Sequence, residues 1–185
     1  MQKQLGITLL QLLISISILC SLTAIAMPSY GPFLAEMRTT NELHRMQRLI
    51  FVARNNAINY QTHVTLCPLV KGQCSRQWQQ DLSVFFDHNK DKIQSGTNEF
   101  LILTKRSIPL GDKLQYAKTR NAITFGPTGK ISVWGANGTF KYCPKGFEEL
   151  SRGLIVSVTG KSYLTQDYDR DNKDENRSGK HVKCL

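Results

Sequence analysis

No charged residue occurs between Ile7 and Met27. At about 1.5 Å of rise per residue, a helix over that run matches the roughly 30 Å hydrocarbon core of a bilayer. The run sits at the very start of a 185-residue chain, so the outline is one N-terminal membrane segment followed by a body of about one domain. The mean hydropathy of −0.29 conceals this, because it averages an apolar segment with a polar remainder.

The run does not end in a loop. Pro28 and Pro32 can bend or start a helix. Beyond them Phe33, Leu34, Met37, Leu43, Met46, Leu49, Ile50, Ala53, Ala57 and Ile58 recur at helical spacing. Arg38, Asn41, Glu42, Arg45, Arg48 and Asn55 lie between them, which predicts an amphipathic helix with one apolar face. A rod from Ile7 to about Tyr60 is expected, its first half in lipid and its second half against a domain. After Tyr60 the period changes to short strand-like runs: 63–66, 82–86, 100–103, 122–125, 131–134, 139–142 and 154–158. Turn signals separate them at Lys71-Gly72, Asp87–Asp91, Pro127-Thr128-Gly129, Asn137-Gly138 and Thr159-Gly160. Asn137-Gly138 predicts a hairpin joining 131–134 to 139–142. The expected class is α+β, a long helix on a mostly antiparallel sheet body over 61–165, with an irregular polar tail over 166–185.

Of five cysteines, Cys20 lies in the apolar run and reads as a small hydrophobe. Cys67, Cys74, Cys143 and Cys184 form an even set that points to an oxidising compartment such as a periplasm. Four cysteines allow three connectivities; closeness in sequence favours Cys67–Cys74, which would leave Cys143–Cys184. No CxxC pair accompanies them, so zinc is not expected. The formal charge is +10, from 24 basic and 14 acidic residues without a dense basic block. That balance suits a basic domain as well as a surface for DNA or anionic lipid.

Gly6-Ile7-Thr8-Leu9-Leu10, preceded by Lys3, resembles the prepilin motif of type IV pilins. In that motif a short basic leader ends in glycine and is cut just after it. Further along, the chain is similar to FimT/GspH-type minor pilins and pseudopilins through Val64-Thr65-Leu66-Cys67-Pro68, Trp78, 84–91 and 99–103. The order continues with Ile123-Thr124-Phe125, Gly129, 137–140 and 152–157, up to Gly160. The resemblance implies a leader over 1–6, prepilin peptidase cleavage between Gly6 and Ile7, and N-methylation of Ile7. It also implies a membrane segment over 7–27 that bends near Pro28 into the helix of 28–60, with Thr8, Leu9, Gln11 and Pro28 serving filament assembly. The protein would sit as a single-pass inner-membrane precursor with its body in the periplasm, then join other minor and major pilins or pseudopilins. Most pilins carry glutamate where this chain has Gln11, so the charge that would meet a neighbour's N-terminal amine is absent. That departure fits a subunit placed once, near a tip, and it equally fits a tolerated polar residue.

Three other readings compete. A cleavable secretory signal would use Lys3, the apolar run and Ala24-Ile25-Ala26, but it leaves the continuing helix and the body's order unexplained. Enzyme activity has no support: His44, His63, His88 and His181 are scattered, and no nucleophile, zinc or phosphate motif occurs. No catalytic residue, cofactor or metal is therefore assigned. Asp87-x-Asn89-x-Asp91 begins like a calcium loop, but Lys92 replaces the turn glycine and the twelfth position is Asn98, so a hairpin turn is expected. Asp167-x-Asp169-x-Asp171-Asn172 with Glu175 has calcium-like spacing too, interleaved with Arg170, Lys173 and Arg177 as in a solvated tail. The third reading is DNA uptake. Some FimT-type pilins bind DNA through a Gly-Arg-x-Arg segment after the last strand, and the matching place here is Gly160-Lys161-Ser162-Tyr163. Lys161 and Tyr163, with Lys180 and Lys183, are the residues this alternative would use. A minor subunit that starts or caps a pilus or secretion pseudopilus is the leading expectation.

Overall fold

An uncharged apolar segment and an amphipathic one become two successive helices, α1 (Leu9–Ala26) and α2 (Tyr30–Asn59). The computed structural model describes residues 8–26, 30–96, 98–117, 119–132, 137–176 and 178–183. Pro28 and the bend expected there lie outside the described residues. The described side chains of α1 are all exposed, Leu9 by 77% and Leu22 by 61%, so this helix is not buried against any of the described residues. At 18 residues it is about 27 Å long. Among the described residues, no helix is long and apolar enough to cross a membrane.

The second helix buries Ala35, Thr39, Glu42, Leu43, Met46, Leu49, Ile50, Ala53 and Ala57. The face predicted from Leu43 onward is present. Its start differs: Phe33, Leu34 and Met37 are about half exposed and form, with Tyr30, a second apolar patch that points away from the body. Glu42, expected on the polar side, is buried because Lys105 reaches it from the sheet at 2.6 Å.

Two antiparallel sheets receive α2. The first contains β1 (Val64–Val70), β2 (Gln73–Cys74), β3 (Leu82–Phe86), β4 (Leu101–Lys105) and β6 (Ile123–Phe125), with β1 flanked by β2 and β6 on one side and β3 on the other. The second runs β5 (Lys113–Gln115), β7 (Gly138–Cys143), β8 (Arg152–Val156), β9 (Ser162–Leu164). Side chains alternate across β1 and β3. Val64, Leu66, Leu82, Val84 and Phe86 enter the main core with α2, whereas Cys67 and Phe85 meet Ala122 in a second cluster. Both faces are thus covered, which is why every residue of β3 is buried.

Lys71 and Gly72 take φ of 51° and 80°, the left-handed pair that a tight two-residue hairpin needs, and they join β1 to β2. Residues 133–136 of the expected Asn137-Gly138 hairpin lie outside the described residues, and its described ends do not pair with one another. Among the described residues Ile131 bridges Phe125, and β7 pairs with β5 and β8. The nearer turn at Gly126–Lys130, closed by Gly126 N–H donating to the Lys130 carbonyl at 2.9 Å, captures Ile131 first. The tail is also more ordered than expected. It lacks helix and strand among its described residues, but Gln166–Glu175 and Glu175–His181 bridges fold it back and bury Asp174, Glu175 and Val182.

Candidate functional site

Gly6, Ile7 and Pro28 lie outside the described residues, so the assembly end is visible from Thr8. Thr8 precedes α1 and its Oγ1 accepts the backbone N–H of Gln11 at 3.3 Å, one arm of an N-terminal cap of the Thr-x-x-Gln kind. The hydroxyls of Ser15, Ser17, Ser21 and Thr23 donate to the carbonyls of Gln11, Leu13, Ser17 and Leu19 at 2.8–3.0 Å. Each of these hydroxyls therefore satisfies its donor inside the helix, which lowers the cost of placing that part of the segment in an apolar environment. The Gln11 side-chain amide makes no hydrogen bond among the described residues, in keeping with its exposed position.

The first half of α2 is held to the body by charge. Arg38 Nε lies 2.8 Å from Asp112 Oδ2, and Asp112 also accepts from the Tyr142 hydroxyl and, at 2.8 Å, from the Lys145 backbone N–H. Burial and this carboxylate push the Tyr142 phenol well above its ordinary range, so it stays a neutral donor. Arg152 on β8 donates to Glu36 at 3.0 Å and to Thr40 at 3.1 Å, and lies 3.7 Å from Asp174. One guanidinium thereby joins the helix, the second sheet and the tail. Burial raises the Asp174 carboxyl, against the opposing pull of Thr165 and Arg152. These contacts fix the first half of α2 on the body and leave Tyr30, Phe33, Leu34 and Met37 exposed.

The four residues of the DNA alternative do not form one site. Lys161 and Ser162 line a groove against α2 with His44, Arg48, Phe51 and Arg54. Lys180 and Lys183 line another beside Thr139 and Lys141. Tyr163 is half-buried on β9, opposite Ile155. In the sequence Arg48 reads only as part of the polar face of a helix and Arg54 is not singled out; the packing of the Gly160 turn against α2 is what joins them to Lys161, and no local motif signals it. Arg54 Nε donates to the Gly129 carbonyl at 3.1 Å, so that side chain also anchors the turn.

The expected Cys67–Cys74 disulfide is present, with Cα atoms 5.5 Å apart, and it clasps β1 to β2. Cys143 is also disulfide-bonded, and Cys184 lies outside the described residues. Cys20 is a free, exposed thiol on α1.

A long helix with its outer half unpartnered, laid across antiparallel sheets clasped by a disulfide, defines a type IV pilin-like fold. The family model described as "Type II transport protein GspH" matches residues 42–160, and the chain belongs to that family. Its members are structural proteins and not enzymes. Two crystal structures of the Pseudomonas aeruginosa PAO1 type IV minor pilin FimU share the fold. One has a TM-score of 0.58 at 16% identity, covering 72% of this chain and 92% of that one; the other has 0.54 at 16%, covering 69% and 92%. The Vibrio cholerae minor pseudopilin EpsH also matches, with a TM-score of 0.49 at 12% identity over 69% of this chain and 95% of that one. No curated protein matches in sequence.

Proposed function

We propose that this protein is a minor pilin or pseudopilin that helps start or cap a type IV pilus or type II secretion pseudopilus. Its precursor is held in the inner membrane by the 7–27 segment, with the body in the periplasm. Prepilin peptidase cuts between Gly6 and Ile7, and Ile7 is then methylated. The observation that carries this reading is α1: an apolar helix with no partner among the described residues and with its hydroxyls satisfied internally. Such a helix requires lipid before assembly and the helices of other subunits after it. Intact-mass measurement of the membrane-extracted protein tests this. A mature chain starting at Ile7, lost in a Gly6→Leu variant, is expected; a mature chain starting at Met27 would instead make the segment a discarded secretory signal.

The tip placement rests on Gln11. An uncharged residue there removes a pairing that would recur at each step along a shaft, while a subunit inserted once loses little. Labelled subunits should number one or a few per filament, and many copies along the shaft would defeat tip placement. DNA binding is the second reading, favoured by the groove that collects His44, Arg48, Arg54 and Lys161.

A further inference from the structure

We infer that Asp87, Asp91 and Glu99 form a calcium site that staples the β3–β4 connection. A carboxylate oxygen from each comes within 4.8 Å of the others. Asp87 is fully buried and Glu99 is 6% exposed, while Asp91 is exposed and opens the cluster to solvent. Among the described residues, none of the three forms an ion pair with a lysine, arginine or histidine. Lys90 and Lys92 flank Asp91 in sequence, but Lys92 Nζ donates to Asn121 Oδ1 at 3.4 Å instead. Three carboxylates thus converge at one place without a direct ion-pair partner among the described residues.

Asp87 supplies the independent sign of a ligand. Its Oδ2 accepts from the Thr65 hydroxyl at 2.6 Å, but Oδ1 is buried and accepts no hydrogen bond. A buried carboxylate oxygen left bare costs stability unless something binds it. Neutral groups approach the other two: Asp91 accepts from Asn89 Nδ2 at 2.8 Å and from the Ile93 backbone N–H at 2.7 Å, and Glu99 accepts from the Ser95 backbone N–H at 3.2 Å. His88 is occupied elsewhere, Nδ1 lying 2.7 Å from Thr62 Oγ1 and Nε2 3.1 Å from the Asn98 carbonyl. An all-oxygen set with three carboxylates selects a hard cation, and a loop rather than a rigid cage favours calcium over magnesium.

The structure also removes the two sequence objections to this loop. Lys92 adopts φ 63°, the left-handed conformation that a turn glycine would take. Glu99 follows Asn98, so the closing carboxylate stands one place beyond the expected twelfth position. The tail cluster of Asp169, Asp171, Glu175 and His181 differs in kind. There His181 Nε2 lies 3.2 Å from both Asp171 Oδ2 and Glu175 Oε1, so a protonated imidazole can supply the positive charge.

The test uses the full-length chain in detergent, stripped with chelator and titrated with calcium chloride. One calcium per chain is expected, with Kd on the order of 10⁻⁴ M, as in extracellular calcium modules. At a hundredfold excess over Kd, Tm should rise by about 5–10 °C. Asp87→Asn and Glu99→Gln should each weaken binding at least tenfold and abolish the rise. In chelator, the same variants should melt no lower than the parent, since each relieves repulsion among the carboxylates. That last result separates a lost ligand from a damaged fold. No calcium-dependent shift in the parent would overturn the proposal. So would a shift that survives both substitutions but disappears in Asp171→Asn, because it would place the ion in the tail.

Discussion

Glu42 lies where the polar stripe of α2 should run, yet it is 6% exposed and its partner Lys105 is 8% exposed. Arg45 adds a second, more exposed contact at 3.2 Å. A buried pair of this kind contributes little net stability, but breaking it leaves an unpaired charge inside. Glu42→Gln should therefore lower unfolding stability by about 3 kcal/mol, while the double change Glu42→Met with Lys105→Met should recover most of that loss. Urea denaturation of the detergent-solubilised chain checks both. Asp174 sets a second residue-scale expectation. Burial holds its native pKa above the ordinary carboxylate value of 3.8, so the native state binds this proton more readily than the unfolded chain does. Its contribution is full below that ordinary value and is lost as pH rises through the native one. In urea midpoints measured from acid toward neutral pH, the parent should thus lose stability relative to Asp174→Asn as pH rises through that window.

At the scale of elements, the β8–β9 turn shows what a single glycine can carry. Gly160 has φ +77°, and a Cβ there would lie 2.0 Å from the Gly129 carbonyl oxygen. Gly160→Ala should cost about 2 kcal/mol or more, from the left-handed backbone and the clash together, and should loosen the groove containing Lys161. Thermal melts with amide exchange at Gly129 and Gly160 measure it. We further expect Cys143 to pair with Cys184, closing a loop that adds roughly 3–4 kcal/mol on a chain-entropy basis. Non-reducing peptide mapping decides this, and a peptide joining Cys67 to Cys143 would contradict both assignments. Elements built on an apolar run were legible in the sequence: both helices and β1, β3, β4, β6, β7 and β8 stand within a few residues of their predicted positions. Strands β2, β5 and β9 were not, because their two or three residues contain no apolar run and are fixed by the partner they meet. The described ends of the expected Asn137-Gly138 hairpin pair with other strands for a similar reason, since a turn signal states that the chain reverses but not which strand it reverses onto. Of the carboxylates in the loop after β3, spacing marks Asp87 and Asp91, which read as a hairpin turn, and does not mark Glu99; their convergence depends on burial, which spacing does not report.

For the whole molecule, the open question is whether a charge of +10 serves DNA or simply solubility. The positive residues named for DNA fall in two grooves. Lys161 shares one with Arg48 and Arg54, and Lys180 and Lys183 share the other with Lys141. A receptor that tracks one backbone needs its contacts along one surface, so substitutions in the two grooves should have unequal effects if DNA is bound. Any domain this basic touches DNA at low salt, and counterion release makes such binding fall steeply as salt rises. For the filament role alone, the full-length chain in detergent should show no micromolar affinity for single- or double-stranded DNA at about 150 mM salt. Fluorescence anisotropy across a salt series checks this. Deleting the gene should still abolish pili or secretion. Micromolar binding at that salt, lost in Arg48→Ala with Lys161→Ala and retained in Lys180→Ala with Lys183→Ala, would instead establish a DNA receptor centred on the groove beside α2. The same binding lost only in the second pair would move the receptor surface to the tail.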